Sequence, residues 1–197
     1  MIKLIMFDWG GVIQNTPKPG EVPMRAAELF GVDRDTFMEA YYDEYKAVRT
    51  GQISHDQLWP KLGERLYKPV PDELQNELDK LTGAYNLKVI EVIQLIKSKH
   101  IRVCILSNVG EASGIRNSAY IGVFDAVYLS VEQGLTKPDD VAFYELGPQE
   151  FKVCYEETLM VDDLDRNLEL PRRLGMQTFL AANEDQIVTN LVELLNI

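Results

Sequence analysis

The chain has 197 residues, 46% of them hydrophobic, and a formal net charge of −11. This length predicts one domain, with room for a small second one, and the apolar content is too high for a disordered chain. The acidic balance argues against nucleic-acid binding, which requires a basic surface, and no apolar run is long enough to span a bilayer.

The two cysteines, Cys104 and Cys154, do not have the spacing of a metal site. Cys104 lies within an apolar run, which indicates a small buried side chain. The first residues lack the charged head, apolar centre and small-residue cleavage site of a signal peptide. We therefore expect a cytoplasmic protein, and the sequence leaves the oligomeric state open.

The first predicted element is a buried strand at residues 2–7, and helical patterns fill the stretch that follows it. Residues 16–82, called the helical insert below, contain no strand pattern. Within the insert, Ser54 and Gln57 have the spacing of a helix capping box. An uninterrupted helical stretch directly after one strand indicates an insertion into a larger fold.

From residue 86 onward, strand and helix patterns alternate. Asn86 precedes a helical pattern as a candidate N-cap, and Pro171 is expected in the first turn of a later helix. Because the strands lack polar–apolar alternation, helices should cover both faces of a parallel sheet. The predicted fold is α/β, with a Rossmann-like core of residues 1–15 and 83–197 and the inserted all-helical domain of residues 16–82. The later strands are predicted at residues 101–106, 124–130, 158–161 and 177–180.

Polar residues follow the predicted strands where each one ends. The carboxyl ends of parallel strands meet at one edge of a sheet, where ligands of such folds bind. Three carboxylates gathered there would repel one another without a cation, and their oxygen ligands favour Mg²⁺. The residues are Asp8, Ser107, Asn108, Thr136, Lys137, Asp162 and Asp163.

Four segments resemble the ordered motifs of the haloacid dehalogenase-like (HAD) hydrolase superfamily: FDWGGVI, LSN, GLTKPDDVAFYEL and MVDDLDRNLELPRRLGM. The helical insert is similar to the helical cap of that superfamily's first cap subclass. Most members are phosphatases, so the resemblance implies a magnesium-dependent phosphatase that acts on small phosphorylated metabolites.

The resemblance also implies roles for the matching residues. Asp8 would be the nucleophile that forms an aspartyl-phosphate, Ser107 would bind a phosphoryl oxygen, and Lys137 would neutralise the charge between nucleophile and phosphate. The implied metal ligands are Asp8, the backbone carbonyl of Gly10, and Asp163, with Asp162 in or near the coordination shell. The implied substrate contacts are the backbone of Gly11, Asn108, and Arg49 in the helical insert.

One position departs from the superfamily pattern. Most of its phosphatases carry a second aspartate two residues after the nucleophile, which protonates the leaving oxygen, and here that residue is Gly10. General acid–base catalysis is typically worth ~10²–10⁴-fold in rate. A phosphatase without it would favour a good leaving group, such as that of a sugar 1-phosphate, or would take the proton from the cap or solvent.

Two alternatives remain open. The first is a 2-haloacid dehalogenase-like or phosphonatase-like hydrolase; the acidic pair Asp162 and Asp163 disfavours a dehalogenase, and a phosphonatase would need Lys46 or Lys61 of the insert as a Schiff-base lysine. The second is a degenerate, non-catalytic binding protein, which the complete set of motif residues disfavours.

Overall fold

The computed structural model describes residues 1–15, 20–81, 83–110 and 114–196. Five parallel strands form one sheet in the order β3-β2-β1-β4-β5. This confirms the predicted parallel α/β fold, although β3 is shorter than the predicted 124–130. The strands are β1 (Leu4–Phe7), β2 (Arg102–Ser107), β3 (Ala126–Leu129), β4 (Thr158–Asp162) and β5 (Gln177–Leu180).

Helices in the described part of the chain either cover the sheet or form the insert. Those of the insert lie between β1 and β2 in sequence and precede α5, which packs on the sheet. The helices are α1 (Glu21–Phe30), α2 (Arg34–Arg49), α3 (Leu58–Leu66), α4 (Leu74–Asp79), α5 (Leu87–Ser98), α6 (Ser130–Gln133), α7 (Val141–Phe151), α8 (Asp165–Leu174) and α9 (Glu184–Leu195). None of them is both long and apolar enough to cross a membrane.

The central strand β1 is buried on both faces. Ile5 and Phe7 pack into an apolar cluster with α5 and α9. Leu4 and Met6 point to the opposite face, because successive strand residues alternate, and pack with α7 and α8. Helices on both faces explain why this strand is a continuous apolar run.

The helical insert has an apolar cluster of its own. Phe37 and Tyr41 of α2 pack in it with Phe30 of α1 and Leu62 of α3. The predicted capping box is present, because both Ser54 and Gln57 make their side-chain bonds to the backbone. The insert therefore has an apolar cluster that is separate from those on the two faces of the sheet.

The two connections between the insert and the sheet run side by side. The backbone N–H of Asn15, on the way into the insert, donates to the carbonyl of Ala84 on the way back, at 2.9 Å. Gln14 bridges to Tyr85, and its amide donates to the carbonyl of Gly83. These bonds hold the insert next to the loop that follows β1.

One helix-terminus prediction is confirmed in position only, and another is wrong. Asn86 is the N-cap residue of α5, but its side chain makes no capping bond; its amide instead donates to the carbonyl of Val12 at 2.8 Å. Pro171 lies inside α8, not in its first turn. Because proline has no N–H, the carbonyl of Asn167 loses its helical partner, and the hydroxyl of Tyr144 donates to it instead, at 2.8 Å.

We expect Tyr144→Phe to lower the free energy of unfolding by about 1–3 kcal/mol, because it leaves a buried carbonyl without a donor. Tyr144 is fully buried, and Asn167 is only 3% exposed. Urea denaturation with an unchanged m-value would measure the loss. Tyr155→Phe is the matched control, since its hydroxyl contacts the carboxylate of Glu145 near the surface. Equal losses in both variants would contradict this account.

Candidate active site

The carboxyl edge of the sheet brings together five side chains from distant parts of the sequence. β1 lies between β2 and β4, so the residues that end these three strands are neighbours. The loop between β3 and α7 adds a lysine to the same place. The five are Asp8, Ser107, Lys137, Asp162 and Asp163.

The carboxylate of Asp8 is held by two donors on one oxygen. Its Oδ1 accepts from the backbone N–H of Trp9 and from the hydroxyl of Ser107, both at 2.7 Å. The phosphoryl contact expected of Ser107 remains a prediction, since its hydroxyl bonds the Asp8 carboxylate in this structure. Trp9 is buried, as expected of a core residue, and its indole N–H donates to the side chain of Gln14.

Lys137 is a buried cation between two carboxylates. It is 1% exposed, and its Nζ lies 2.6 Å from Asp162 and 3.1 Å from Asp8. Burial by itself lowers the pKa of a lysine, but the charges of Asp162 and Asp8 outweigh it and raise the pKa of Lys137. The side chain therefore keeps its positive charge without contact to solvent.

Asn108 fixes the loop that carries this lysine. Its side-chain amide donates to the carbonyl of Lys137 at 2.6 Å, and its amide oxygen accepts from the backbone N–H of Lys137 at 2.9 Å. Both polar ends of the Asn108 side chain are thus used within the protein. In this structure the Asn108 side chain positions Lys137, and its predicted substrate contact remains a prediction.

The adjacent residues Asp162 and Asp163 have different surroundings. Both oxygens of the fully buried Asp162 are occupied: Oδ2 by Lys137, and Oδ1 by the backbone N–H of Leu164 and the side chain of Asn167, each at 2.9 Å. Asp163 is only partly buried and lines a cavity. Asp163 is therefore the one placed to offer an oxygen to a ligand, while Asp162 holds Lys137.

Three carboxylates meet at this edge. Asp8, Asp162 and Asp163 each offer an oxygen within 4.8 Å of the others. Burial, opposed by Lys137 and reinforced by the two other aspartates, raises the pKa of Asp8 to about 7. Burial and Asp162 raise the pKa of Asp163 to about 6. A divalent cation would relieve this unfavourable burial of like charges, and the oxygen ligands suit Mg²⁺.

Gly11 meets two requirements of the loop after Asp8. Its φ is 70°, in the left-handed region that side chains rarely adopt, and a Cβ at this position would overlap the carboxylate of Asp163. Its backbone N–H donates to the carbonyl of Gln14 at 2.8 Å. The expected phosphate contact of that N–H remains a prediction.

A cavity of about 510 Å³ lies between the sheet edge and α2 of the helical insert. On the sheet side it is lined by Asp8, Gly10, Lys137 and Asp163, among others. Such a volume is typical of a small-molecule site. On the insert side, residues of one face of α2 line it: Arg34, Met38, Tyr41, Tyr42, Tyr45 and Arg49.

Arg49 has a free donor toward this cavity. Its guanidinium lies 5.3 Å from the centre of the Tyr45 ring, and its Nε is buried without a hydrogen-bond partner among the described residues. Of the three predicted substrate contacts, Arg49 is the one whose side chain is not already satisfied. No single-sequence signal separated it from an ordinary arginine at a helix end.

Comparison with known proteins places this geometry in context. No family model matches the chain. It is 28% identical over the full length of both chains to a D-ribitol-5-phosphate phosphatase from Bacteroides thetaiotaomicron. Among solved structures, a predicted HAD-like family hydrolase from Porphyromonas gingivalis matches with a TM-score of 0.77 and 22% identity, covering 100% of this chain and 99% of that one.

A second solved structure adds a ligand-bound relative. A HAD family enzyme from Bacteroides thetaiotaomicron, in complex with magnesium and inorganic phosphate, matches with a TM-score of 0.71 and 19% identity. The match covers 91% of this chain and 94% of that one. These similarities concern the fold, and at that level they confirm the resemblance in the sequence motifs.

Proposed function

We propose that this chain, which has the fold of the HAD-like hydrolases, is a magnesium-dependent phosphatase acting through an aspartyl-phosphate on Asp8. The observation that carries the proposal is the buried cation Lys137, held between Asp8 and Asp162 below a cavity that Asp163 also lines. A carboxylate attacks a phosphate dianion only if their repulsion is screened, and a buried lysine beside the nucleophile provides such screening.

Each residue of the site has a role in this proposal. Asp8 attacks phosphorus, and the bond from phosphorus to the ester oxygen breaks. Lys137 keeps a positive charge next to the nucleophile, while Asp162 and Asn108 hold the lysine in place. Asp8, the carbonyl of Gly10 and Asp163 would hold magnesium, which when bound neutralises charge on the transferring phosphoryl group.

We propose a small phosphorylated sugar or polyol as the substrate. The D-ribitol-5-phosphate phosphatase relative and the cavity volume support this class. The insert contributes three tyrosines and two arginines to the lining, and side chains with such polar groups also suit a ligand rich in hydroxyl oxygens. A 5-phosphate is a primary alkyl ester, however, and its leaving oxygen needs a proton that Gly10 cannot supply.

The insert acts as a cap in this proposal, with residues 16–82 as the cap and residues 1–15 and 83–197 as the core. Its separate apolar cluster and the cavity at its junction with the sheet support this division.

The two cysteines are free, which is compatible with the reducing cytoplasm.

The phosphonatase alternative lacks a suitable lysine in the described insert. Lys46 is 63% exposed and lies 4.0 Å from Asp139, and neither Lys46 nor Lys61 lines the cavity. A Schiff-base lysine needs an apolar or cationic environment that suppresses its charge. The acidic cluster likewise favours phosphoryl transfer over dehalogenation, which needs no metal.

We expect hydrolysis of ribitol 5-phosphate and sugar phosphates to be lost in excess chelator and to return with Mg²⁺, because the site gathers three carboxylates. Phosphate release over a panel of esters measures it. As a readout besides activity, Mg²⁺ at 100 times its Kd should stabilise the protein by about 2.7 kcal/mol. Hydrolysis of 2-haloacids in chelator, with no phosphate released from any ester, would overturn the proposal in favour of a dehalogenase.

A further inference from the structure

The source of the leaving-group proton is open in the proposed phosphatase. Gly10 stands where a proton donor would be expected, and it has no side chain. An alkyl phosphate expels a strongly basic alkoxide, so a donor near the ester oxygen should matter most for this kind of substrate. The following inference rests on the proposed function and concerns which residue supplies that proton.

Few of the groups that line the cavity could donate a proton to the leaving oxygen. Its described lining contains neither histidine nor glutamate. Arginine does not give up its proton, and Lys137 is committed to two carboxylates. Asp163 is assigned to the metal. The remaining donors are three phenols on one face of α2: Tyr41, Tyr42 and Tyr45.

Tyr45 lines the same cavity as the nucleophile and differs from the other two phenols in its surroundings. Burial raises its pKa, the guanidinium of Arg49 opposes this, and the charge of Asp8 raises it further. The pKa of Tyr41 is also raised by burial, but Asp8 is not among the causes. Tyr42 is 50% exposed, and its ring lies 6.0 Å from the Tyr41 ring at an interplanar angle of 69°, so it meets that ring edge-on and does not join the stack. The hydroxyl of Tyr45 makes no hydrogen bond to a described residue, so it is free to donate to a ligand.

The ring of Tyr45 contacts two other residues of α2. The Tyr41 ring stacks on it at 5.1 Å between centroids with an interplanar angle of 18°, and the Arg49 guanidinium lies 5.3 Å from its centre. The spacing i, i+4, i+8 on α2 produces this column. These two contacts restrict the ring, and the guanidinium also stabilises the phenolate that forms when the proton leaves.

We propose that Tyr45 of the helical insert donates its hydroxyl proton to the leaving oxygen, in place of the side chain that Gly10 lacks. In the first half-reaction a carboxylate oxygen of Asp8 bonds to phosphorus, the phosphorus–ester oxygen bond breaks, and the ester oxygen takes the phenolic proton. In the second, water attacks the aspartyl-phosphate and its proton returns to Tyr45, which leaves inorganic phosphate and a free Asp8.

Proton donation by Tyr45 should accelerate the hydrolysis of alkyl phosphates and not that of aryl phosphates. A phenol transfers its proton favourably to an alkoxide, which is more basic than the phenolate. An aryl ester expels a weakly basic phenolate that needs no proton. The contribution of Tyr45 should therefore appear with alkyl phosphates and vanish with aryl phosphates, which no purely structural role would produce.

The test is Tyr45→Phe, assayed with Mg²⁺ on a series of phosphate monoesters from p-nitrophenyl phosphate to ribitol 5-phosphate. We expect kcat/KM to fall about 10²-fold for the alkyl ester and less than about threefold for the aryl ester. A plot of log kcat/KM against leaving-group pKa should be nearly flat for the native enzyme and steeply negative for the variant.

Two further variants separate chemistry from packing. Tyr41→Phe removes a hydroxyl from the same stack, so a packing effect would lower both ester classes alike. Tyr67→Phe changes a residue 94% exposed at the end of α3 and should leave both rates unchanged. Equal losses on both esters in Tyr45→Phe, or no loss on the alkyl ester, would overturn the inference while leaving the phosphatase intact. A native enzyme that hydrolyses no ester would overturn both.

Discussion

Replacing Asp8 with asparagine is expected to lower kcat/KM by at least about 10⁴-fold for every phosphate ester, because the amide cannot form the acyl-phosphate bond. The change is nearly isosteric, and an asparagine oxygen can still accept from the N–H of Trp9 and the hydroxyl of Ser107. The fold should therefore persist. Steady-state phosphate release and circular dichroism would measure the two effects separately.

The matched control for this variant is Asp165→Asn. Asp165 lies at the start of α8, is 59% exposed, and forms an ion pair with Arg172 at the surface. Exposed pairs contribute little, so its activity should stay within about twofold of the native value. An Asp8→Asn enzyme that kept a tenth of the native activity would show that Asp8 is not the nucleophile.

Replacing Lys137 with methionine is expected to affect stability and activity together. The variant leaves two buried carboxylates, Asp8 and Asp162, without their cation. Removing one partner of a buried pair typically costs about 3–5 kcal/mol. Loss of a preorganised cation beside the phosphoryl group should also lower kcat by about 10²–10³-fold. Urea denaturation in chelator and initial rates with Mg²⁺ would measure both.

A second variant distinguishes a lost charge pair from a packing defect. In Lys137→Met/Asp162→Asn, no charge remains unpaired between these two residues, so part of the lost stability should return while the activity stays low. Lys88→Met is the surface control, since Lys88 pairs with Asp185 at 2.7 Å with both side chains exposed. It should cost less than about 1 kcal/mol. A double variant less stable than Lys137→Met would contradict the charge-pair account.

The sequence by itself predicted the sheet and which residues gather at its edge. Each buried strand is an apolar run long enough to detect, and the polar residue that ends it marks the carboxyl end. Because parallel strands share that edge, the sequence places Asp8, Ser107 and Asp162 on one side of the sheet, and the strand order β2-β1-β4 then makes them neighbours. Local signals such as the Ser54–Gln57 capping box can also be detected in the sequence, since both partners lie within one helical turn.

The same reasoning was weaker wherever a side chain had several possible partners. Asn86 looks like a helix cap in sequence, but tertiary packing directs its amide to the carbonyl of Val12. The sequence also did not reveal that the backbone N–H of Gly11 and the side chain of Asn108 have hydrogen-bond partners inside the protein. Their predicted substrate contacts remain predictions. A hydrogen bond between residues far apart in sequence has no local signature.

Two features depend on the tertiary structure alone. One is which of Asp162 and Asp163 binds Lys137 and which lines the cavity; the other is which face of α2 meets the sheet. Nothing in the sequence distinguishes these two adjacent aspartates. Their surroundings differ because Lys137 contacts Asp162. The helical period of α2 predicts a helix, but it does not reveal that Tyr45 lines the same cavity as Asp8. That arrangement depends on how the insert packs on the core. The electrostatic interaction between two residues depends on their distance in space and not on their separation along the chain.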